Sequence, residues 1–314
     1  MSKGNSLLKR KGTADSEKKQ IKNRINDARL VEQDSLWIRI ALMACFFVSS
    51  AVLSWVMIMF HSSMRDQITT FAAADNIVKR AMQEIPCSKD YANEEFSECK
   101  PKHCRRVVMD NLVSEEEATH LLGIAKKGLQ FGGSSGGASI LDLHSGALSK
   151  GDKFVNIYQV LEEMQENVFT KNDFDIYREV KNKIHQAIAK EFKIPLSKLY
   201  LTKPTFFSRM NTIEAKTVHD EYWHPHVDKV TYGSFHYTSL LYLSTYGRDF
   251  SGGRFIFVDR DSNKTVEPRI GRVSFFTSGS ENVHYVEKLE EGVRYAITIS
   301  FTCDPQHAID NPGI

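Results

Sequence analysis

His226 and Asp228 stand two residues apart in "HPHVDK" (residues 224–229), and an imidazole beside a carboxylate at that spacing can hold a metal ion. In a strand, residues i and i+2 face the same side, so both donors can reach one ion. The pattern alone is weak, because a chain with 11 histidines meets His-x-Asp/Glu by chance, and His219-Asp220-Glu221 is a rival close by. A third donor must come from elsewhere. His284 supplies it, with 55 residues between it and Asp228, directly before an apolar stretch.

Two histidines and one carboxylate on one face of an iron leave three positions open, the donor set of non-haem Fe(II) oxygenases. Those positions admit a chelating cosubstrate and dioxygen. A cation is then needed for the far end of an acidic cosubstrate, and Arg294 lies ten residues after His284. Its guanidinium suits a carboxylate because it can pair in a bidentate fork. His224 shares the face of His226 in a regular strand, either as a hydrogen-bonding neighbour or as a surface residue. Tyr222 and Trp223 suit a pocket wall or a core. Gly252 and Gly253 serve backbone geometry.

The elements that must position these residues form two groups. From Leu199 onward, "TYGSFHYTSLLYLSTYG", "GGRFIFVD", "GRVSFFTSG" and "RYAITISF" are short β-branched and aromatic runs divided by turn residues, which predicts a sandwich or barrel. Helices pack on it from the N-terminal side. A strand at Arg106–Met109 precedes the capping box Ser114-x-x-Glu117, whose helix stops near Gly128. Two further helices are expected near Ile157–Phe169 and Phe174–Phe192, the second with an apolar stripe of Ile176, Val180, Ile184, Ala187 and Ile188. The glycine-rich "FGGSSGGAS" has no Gly-Lys-Ser/Thr and is no phosphate loop. It reads as a mobile surface loop, and residues 132–150 as a lid over the site.

The order His-x-Asp, Gly-Gly-x-Phe, distal His and a basic residue ten further on resembles the prolyl-4-hydroxylase-like Fe(II)/2-oxoglutarate dioxygenases. The likeness covers roughly residues 104–303, and "LTKPTFFSRM", "HDEYWHPHVDKVTYGSF" and "GRVSFFTSGSENVH" strengthen it. It implies an α+β fold, a double-stranded β-helix (jelly-roll) core with N-terminal packing helices. It carries the iron onto His226, Asp228 and His284, and the distal carboxylate of 2-oxoglutarate onto Arg294. Thr238 and Tyr242 are further cosubstrate contacts on the same grounds. Fe(II), 2-oxoglutarate and O2 are the implied cofactors, with ascorbate as reductant, and a protein Pro or Lys is the implied substrate. The competing readings are a catalytically inactive binding protein on an oxygenase scaffold and a zinc or lectin-like β-sandwich.

Ahead of this domain, Ile40–Phe60 is a run of 21 residues without a charge, about 31 Å as a helix and long enough to span a bilayer. Residues 1–39 carry ten Lys/Arg against five Asp/Glu, and the body shows no basic stripe, which argues against nucleic acid as a partner. The positive flank stays cytosolic, so the expectation is a type II membrane protein of the ER/Golgi membrane or cell surface, with its catalytic domain lumenal. Cys87, Cys99, Cys104 and Cys303 then suggest two disulfides among three possible connectivities, against a zinc site of Cys87, Cys99, His103 and Cys104. Asn263-Lys264-Thr265 is a glycosylation sequon. The expected divisions are a basic tail (1–39), a membrane anchor (40–60), a stalk with a cysteine-bearing connector (61–104) and the oxygenase domain (105–314, β core about 199–303). Phe71, Ala74, Val78, Ala81 and Ile85 predict an amphipathic stalk helix through which two copies pair. The partners expected are the bilayer, an unidentified protein substrate of the secretory pathway and a second copy.

Overall fold

Along the strand Arg294–Thr302, successive side chains go to opposite sides of a sheet, and the sequence loads the two sides differently. Ile297, Ile299 and Phe301 join one apolar cluster, whereas Ala296 joins another and Arg294 and Thr298 line a cavity. The neighbouring strand Tyr237–Tyr242 divides in the same way, with Tyr237 and Leu241 on one side and Leu240 and Tyr242 on the other. The structure, a computed structural model, describes residues 37–59 and 68–312, apart from the His219 side chain. They belong to two units, divided between Met64 and Arg65.

The first unit contains the helix Trp37–Met59, 23 residues with a mean hydropathy of 2.2 over an 18-residue stretch, long and apolar enough to cross a membrane. The basic tail, residues 1–36, lies outside the described residues, as do residues 60–67.

In the second unit a ten-stranded sheet runs in the order Ala81–Ile85, Cys104–Met109, Val273–Thr277, Tyr237–Tyr242, Arg294–Thr302, Tyr200–Met210, Ala138–Leu141, Ala147–Gly151 and Gly133–Ser134, with Lys153–Asn156 also paired to Ala147–Gly151. A smaller sheet has the order Ile68–Ala72, Asn263–Val266, Phe255–Phe257 and His284–Val286. Both are mostly antiparallel, as a jelly-roll core requires. Phe255, Phe257 and Val266 of the smaller sheet pack against Leu240, Tyr242 and Phe276 of the larger. The outer face of the large sheet is covered by Glu115–Leu129 and Lys171–Phe192, whose Leu121, Ile124, Ile184 and Ile188 are fully buried. Both helices begin with a reciprocal capping box, at Ser114/Glu117 as expected and at Thr170/Asp173. Ile157–Met164 is shorter than expected, ending at Gln165 in a left-handed conformation.

Two expectations change. The stalk helix is replaced by two strands. Ile68–Ala72 pairs with Asn263–Val266 and Ala81–Ile85 with Cys104–Met109, so residues 68–104 share a compact unit with the rest. A helix this short is marginal in water, whereas the sheet edges give the two strands backbone partners and Phe71 and Val78 pack against the apolar cluster between the sheets. Helical pairing of two copies through this stretch loses its basis. Residues 132–150 form strands of the large sheet rather than a mobile loop, with Leu141 and Leu148 buried. Gly136 is required there because a Cβ would run into the Asp220 carboxylate, which takes a hydrogen bond from Ser134 Oγ. The two disulfides expected among the four cysteines do form, as Cys87–Cys104 and Cys99–Cys303, which removes the zinc alternative. His103 instead pairs with Glu84.

Candidate metal centre

His226 and His284 exchange two backbone hydrogen bonds, 2.9 and 3.0 Å, as an isolated antiparallel bridge. That contact lays the imidazoles side by side, with ring centroids 4.4 Å apart. Asp228 is not on the strand of His226, as the i, i+2 argument supposed. It opens the short helix Asp228–Tyr232, and the turn between them brings its carboxylate back under both rings. Asp228 Oδ1 lies 3.6 Å from Nε2 of each histidine.

The protons decide what this cluster is. His226 Nδ1 lies 3.0 Å from the His224 carbonyl and His284 Nδ1 lies 2.8 Å from the Asn282 carbonyl. A carbonyl only accepts, so each Nδ1 carries an N–H, and Nε2 is the ring atom left to face Asp228. Burial also keeps the His284 imidazole below its ordinary pKa and hence neutral. Asp228 Oδ2 already accepts from Thr238 Oγ1 at 2.6 Å, which leaves Oδ1 facing the two nitrogens. Three potential ligand atoms, two imidazole nitrogens and a carboxylate oxygen, within 4.8 Å of one another fit a cation. This is the one such group among the described residues. The rival Asp220 is instead occupied by Ser134 and Thr217. His224 points its ring at Glu221 and serves the centre through its carbonyl.

The three donors line a cavity of about 350 Å³ between the sheets, together with Thr238, Leu240 and Arg294. A larger groove, about 600 Å³, lies along the helix Lys171–Phe192 but has no metal-binding set. Arg294 is 1% exposed, and its Nε and Nη2 have no hydrogen-bond partner among the described residues. Nη1 reaches only Met210 Sδ, at 3.7 Å. A buried guanidinium keeps its charge, and leaving it unpaired costs several kcal/mol, so this edge of the fork calls for an anion. Gly253 makes the room: a Cβ there would crowd Leu289, Phe250 and Arg294 Cδ.

Thr238 and Tyr242 share a face, as expected, but differ in place. Thr238 lines the cavity with its hydroxyl committed to Asp228 and Ser278. Tyr242 is fully buried outside the lining, its hydroxyl 3.3 Å from Ser274 Oγ and its ring 5.5 Å from Arg294 Cζ. Tyr222 does line the cavity, fixed by the Leu289 N–H donating to its hydroxyl, whereas Trp223 stacks with Lys288 outside it. The sequon residue Asn263 starts a strand rather than lying in a turn, and its side-chain oxygen accepts from Asp259 N. Sequence reasoning missed Pro204, Phe206, Ser208 and Met210, which line the cavity from one face of Tyr200–Met210. Their two-residue spacing was the available signal.

The model of the 2OG-Fe(II) oxygenase superfamily matches residues 212–302, which span this site. The chain is 58% identical over 249 residues to the 2-oxoglutarate and iron-dependent oxygenase domain-containing protein 3 of Xenopus tropicalis, covering 79% of this chain and 78% of that one. The Homo sapiens protein of that name is 53% identical over 278 residues, covering 88% and 86%. Prolyl 3-hydroxylase 1 of Homo sapiens is 27% identical over 224 residues, 65% of this chain and 29% of that one. With this relationship over most of its length, the chain belongs to the 2OG-Fe(II) oxygenase superfamily, in the group formed by those domain-containing 3 proteins.

Proposed function

We propose that this protein is a membrane-anchored Fe(II)- and 2-oxoglutarate-dependent dioxygenase that hydroxylates a proline or lysine of a protein on the lumenal side of a secretory membrane. The observation that carries the reading is the buried, unpartnered fork of Arg294 in the same cavity as three convergent metal donors. His226, Asp228 and His284 would hold Fe(II), and Arg294 would pair with the distal carboxylate of 2-oxoglutarate. When bound, iron, cosubstrate and O2 supply oxidative decarboxylation coupled to hydroxylation of a C–H bond, with ascorbate as reductant.

The protein's own residues prepare that site. The carbonyls of His224 and Asn282 fix both imidazole tautomers, and Thr238 aims the Asp228 carboxylate. Leu240, Phe255 and Val286 give the cavity an apolar wall that keeps water from it. Phe154 and Tyr232, both partly exposed, stand where a substrate side chain would enter. The apolar helix Trp37–Met59 supports the anchor, and the two disulfides suit an oxidising compartment. Asn263 is the proposed glycan acceptor.

The test is an anaerobic titration of the full-length Fe(II) protein in detergent with 2-oxoglutarate, read by the visible charge-transfer band of a ketoacid chelate. A saturable band lost in His226→Ala is expected. Folded, iron-bound protein without a band would favour the binding-scaffold reading.

A further inference from the structure

Residues 87–104 take no part in the proposed chemistry, yet they touch both stretches of chain that carry the metal donors. The segment is closed on itself by Cys87–Cys104 and fastened beyond the last long strand by Cys99–Cys303. Between these bonds Tyr91 is buried, its hydroxyl donating to Glu281 Oε1 at 2.9 Å and accepting from Gly279 N at 2.9 Å. Asp90 Oδ2 accepts from Ser280 N at 2.6 Å. All three contacts fall on the turn that leads into Asn282, whose carbonyl orients His284.

Glu94 reaches the other stretch. It accepts from Lys229 Nζ at 2.8 Å and pairs with His236 Nε2 at 3.0 Å, and the three side chains are largely buried together. Lys229 follows Asp228 directly, and its backbone N–H donates to Ser278 O at 2.9 Å. Phe96 packs edge-on against His236, 6.1 Å between rings. A simple tether could sit anywhere on the surface. These residues converge on the neighbours of two donors that belong to different parts of the chain.

We propose that the disulfide-closed segment Cys87–Cys104 is a brace that sets the spacing of Asp228 and His284, with Tyr91 and Glu94 as positioning residues and Cys99–Cys303 holding them in place. The proposal rests on the metal reading of the site. The physical reason is that the carboxylate and the distal imidazole are placed by separate turns, and metal affinity depends on their relative position. Loss of an outer partner of a metal ligand typically costs 10–100-fold in affinity.

Co(II) titration of the full-length protein in detergent, followed by calorimetry and d–d absorption, tests this alongside the melting temperature. Tyr91→Phe, which keeps the ring and its packing, Glu94→Gln and the double variant Cys99→Ser/Cys303→Ser are each expected to weaken Co(II) binding by about 10-fold and to alter the absorption. Ile188→Ala, a core truncation on the helix across the sheet, should lower the melting temperature and leave the spectrum unchanged. Wild-type protein that binds no Co(II) would overturn the metal reading and the brace with it. Wild-type binding with unaltered affinity and absorption in the folded variants would overturn the brace alone.

Discussion

On the helix side of the large sheet, Tyr237, Leu241, Ile297 and Ile299 meet Leu121, Ile184 and Ile188 in a nearly all-apolar layer. On the other side, the same two central strands present Thr238, Arg294 and Thr298 to a cavity. The first layer satisfies itself, because every group in it wants only to leave water. The second contains a guanidinium with two nitrogens unpartnered among the described residues and three metal donors facing one another. Stability is concentrated on one face and unmet binding capacity on the other, and a substitution should reveal which face it touches.

The largest separation is expected from Arg294→Ala. Removing the buried fork should weaken 2-oxoglutarate binding about 30-fold or more, since a buried charge pair that loses one partner costs about 2–5 kcal/mol. The melting temperature should hold or rise, because an unpaired buried charge has gone. A calorimetric titration and a thermal melt decide it, and a large melting loss would contradict the division between faces. Ile184→Ala is the converse. It should cost about 2–5 kcal/mol in chemical denaturation and leave 2-oxoglutarate affinity within about twofold.

A third prediction concerns pH. Burial opposes ionisation of Glu94, but hydrogen bonds from Lys229 and His236 outweigh it and hold the carboxyl at about 2, below its ordinary 4.5. A depressed carboxylate contributes stability above its unfolded value and loses it as pH falls through the folded one. Wild-type protein should therefore lose more stability than Glu94→Gln between about pH 4.5 and 2, measured by urea denaturation at each pH. Parallel curves would show that the brace carries no such linkage. The smallest effect is expected from Ser114→Ala, which removes the cap from the helix Glu115–Leu129 far from the cavity. It should cost about 1 kcal/mol of stability and change no binding constant.

Much of the site could be read before any coordinates. His226, Asp228, His284 and Arg294 carry their chemistry in their side-chain types and their order, and the structure brings all four to one cavity. The two long helices were also legible, because helix signals are local: a cap, a stripe and a stop lie within a few turns, whereas the helix expected at Ile157–Phe169 ends at Met164. The strands Ile68–Ala72 and Ala81–Ile85 were not. Their apolar spacing suited a helix, and what decides them is an edge on strands such as Asn263–Val266 nearly two hundred residues away. The glycine-rich stretch misled for a related reason, since glycines that look like mobility are spaces left for Asp220 and for tight turns between strands.

By itself, then, the sequence determined which side chains can bind a metal and an acid, where the helix capped by Ser114 begins, and that four cysteines share one side of an apolar span. Only the tertiary structure decided that His226 and His284 would lie side by side, that Asp228 would reach them from a helix turn, that Cys99 would find Cys303, and that Tyr91 and Glu94 would stand behind the donors. The reason is register. Donor chemistry belongs to a residue and helix periodicity to its near neighbours, whereas strand pairing and sheet closure place segments distant in the chain to within an ångström, and no local pattern encodes that placement.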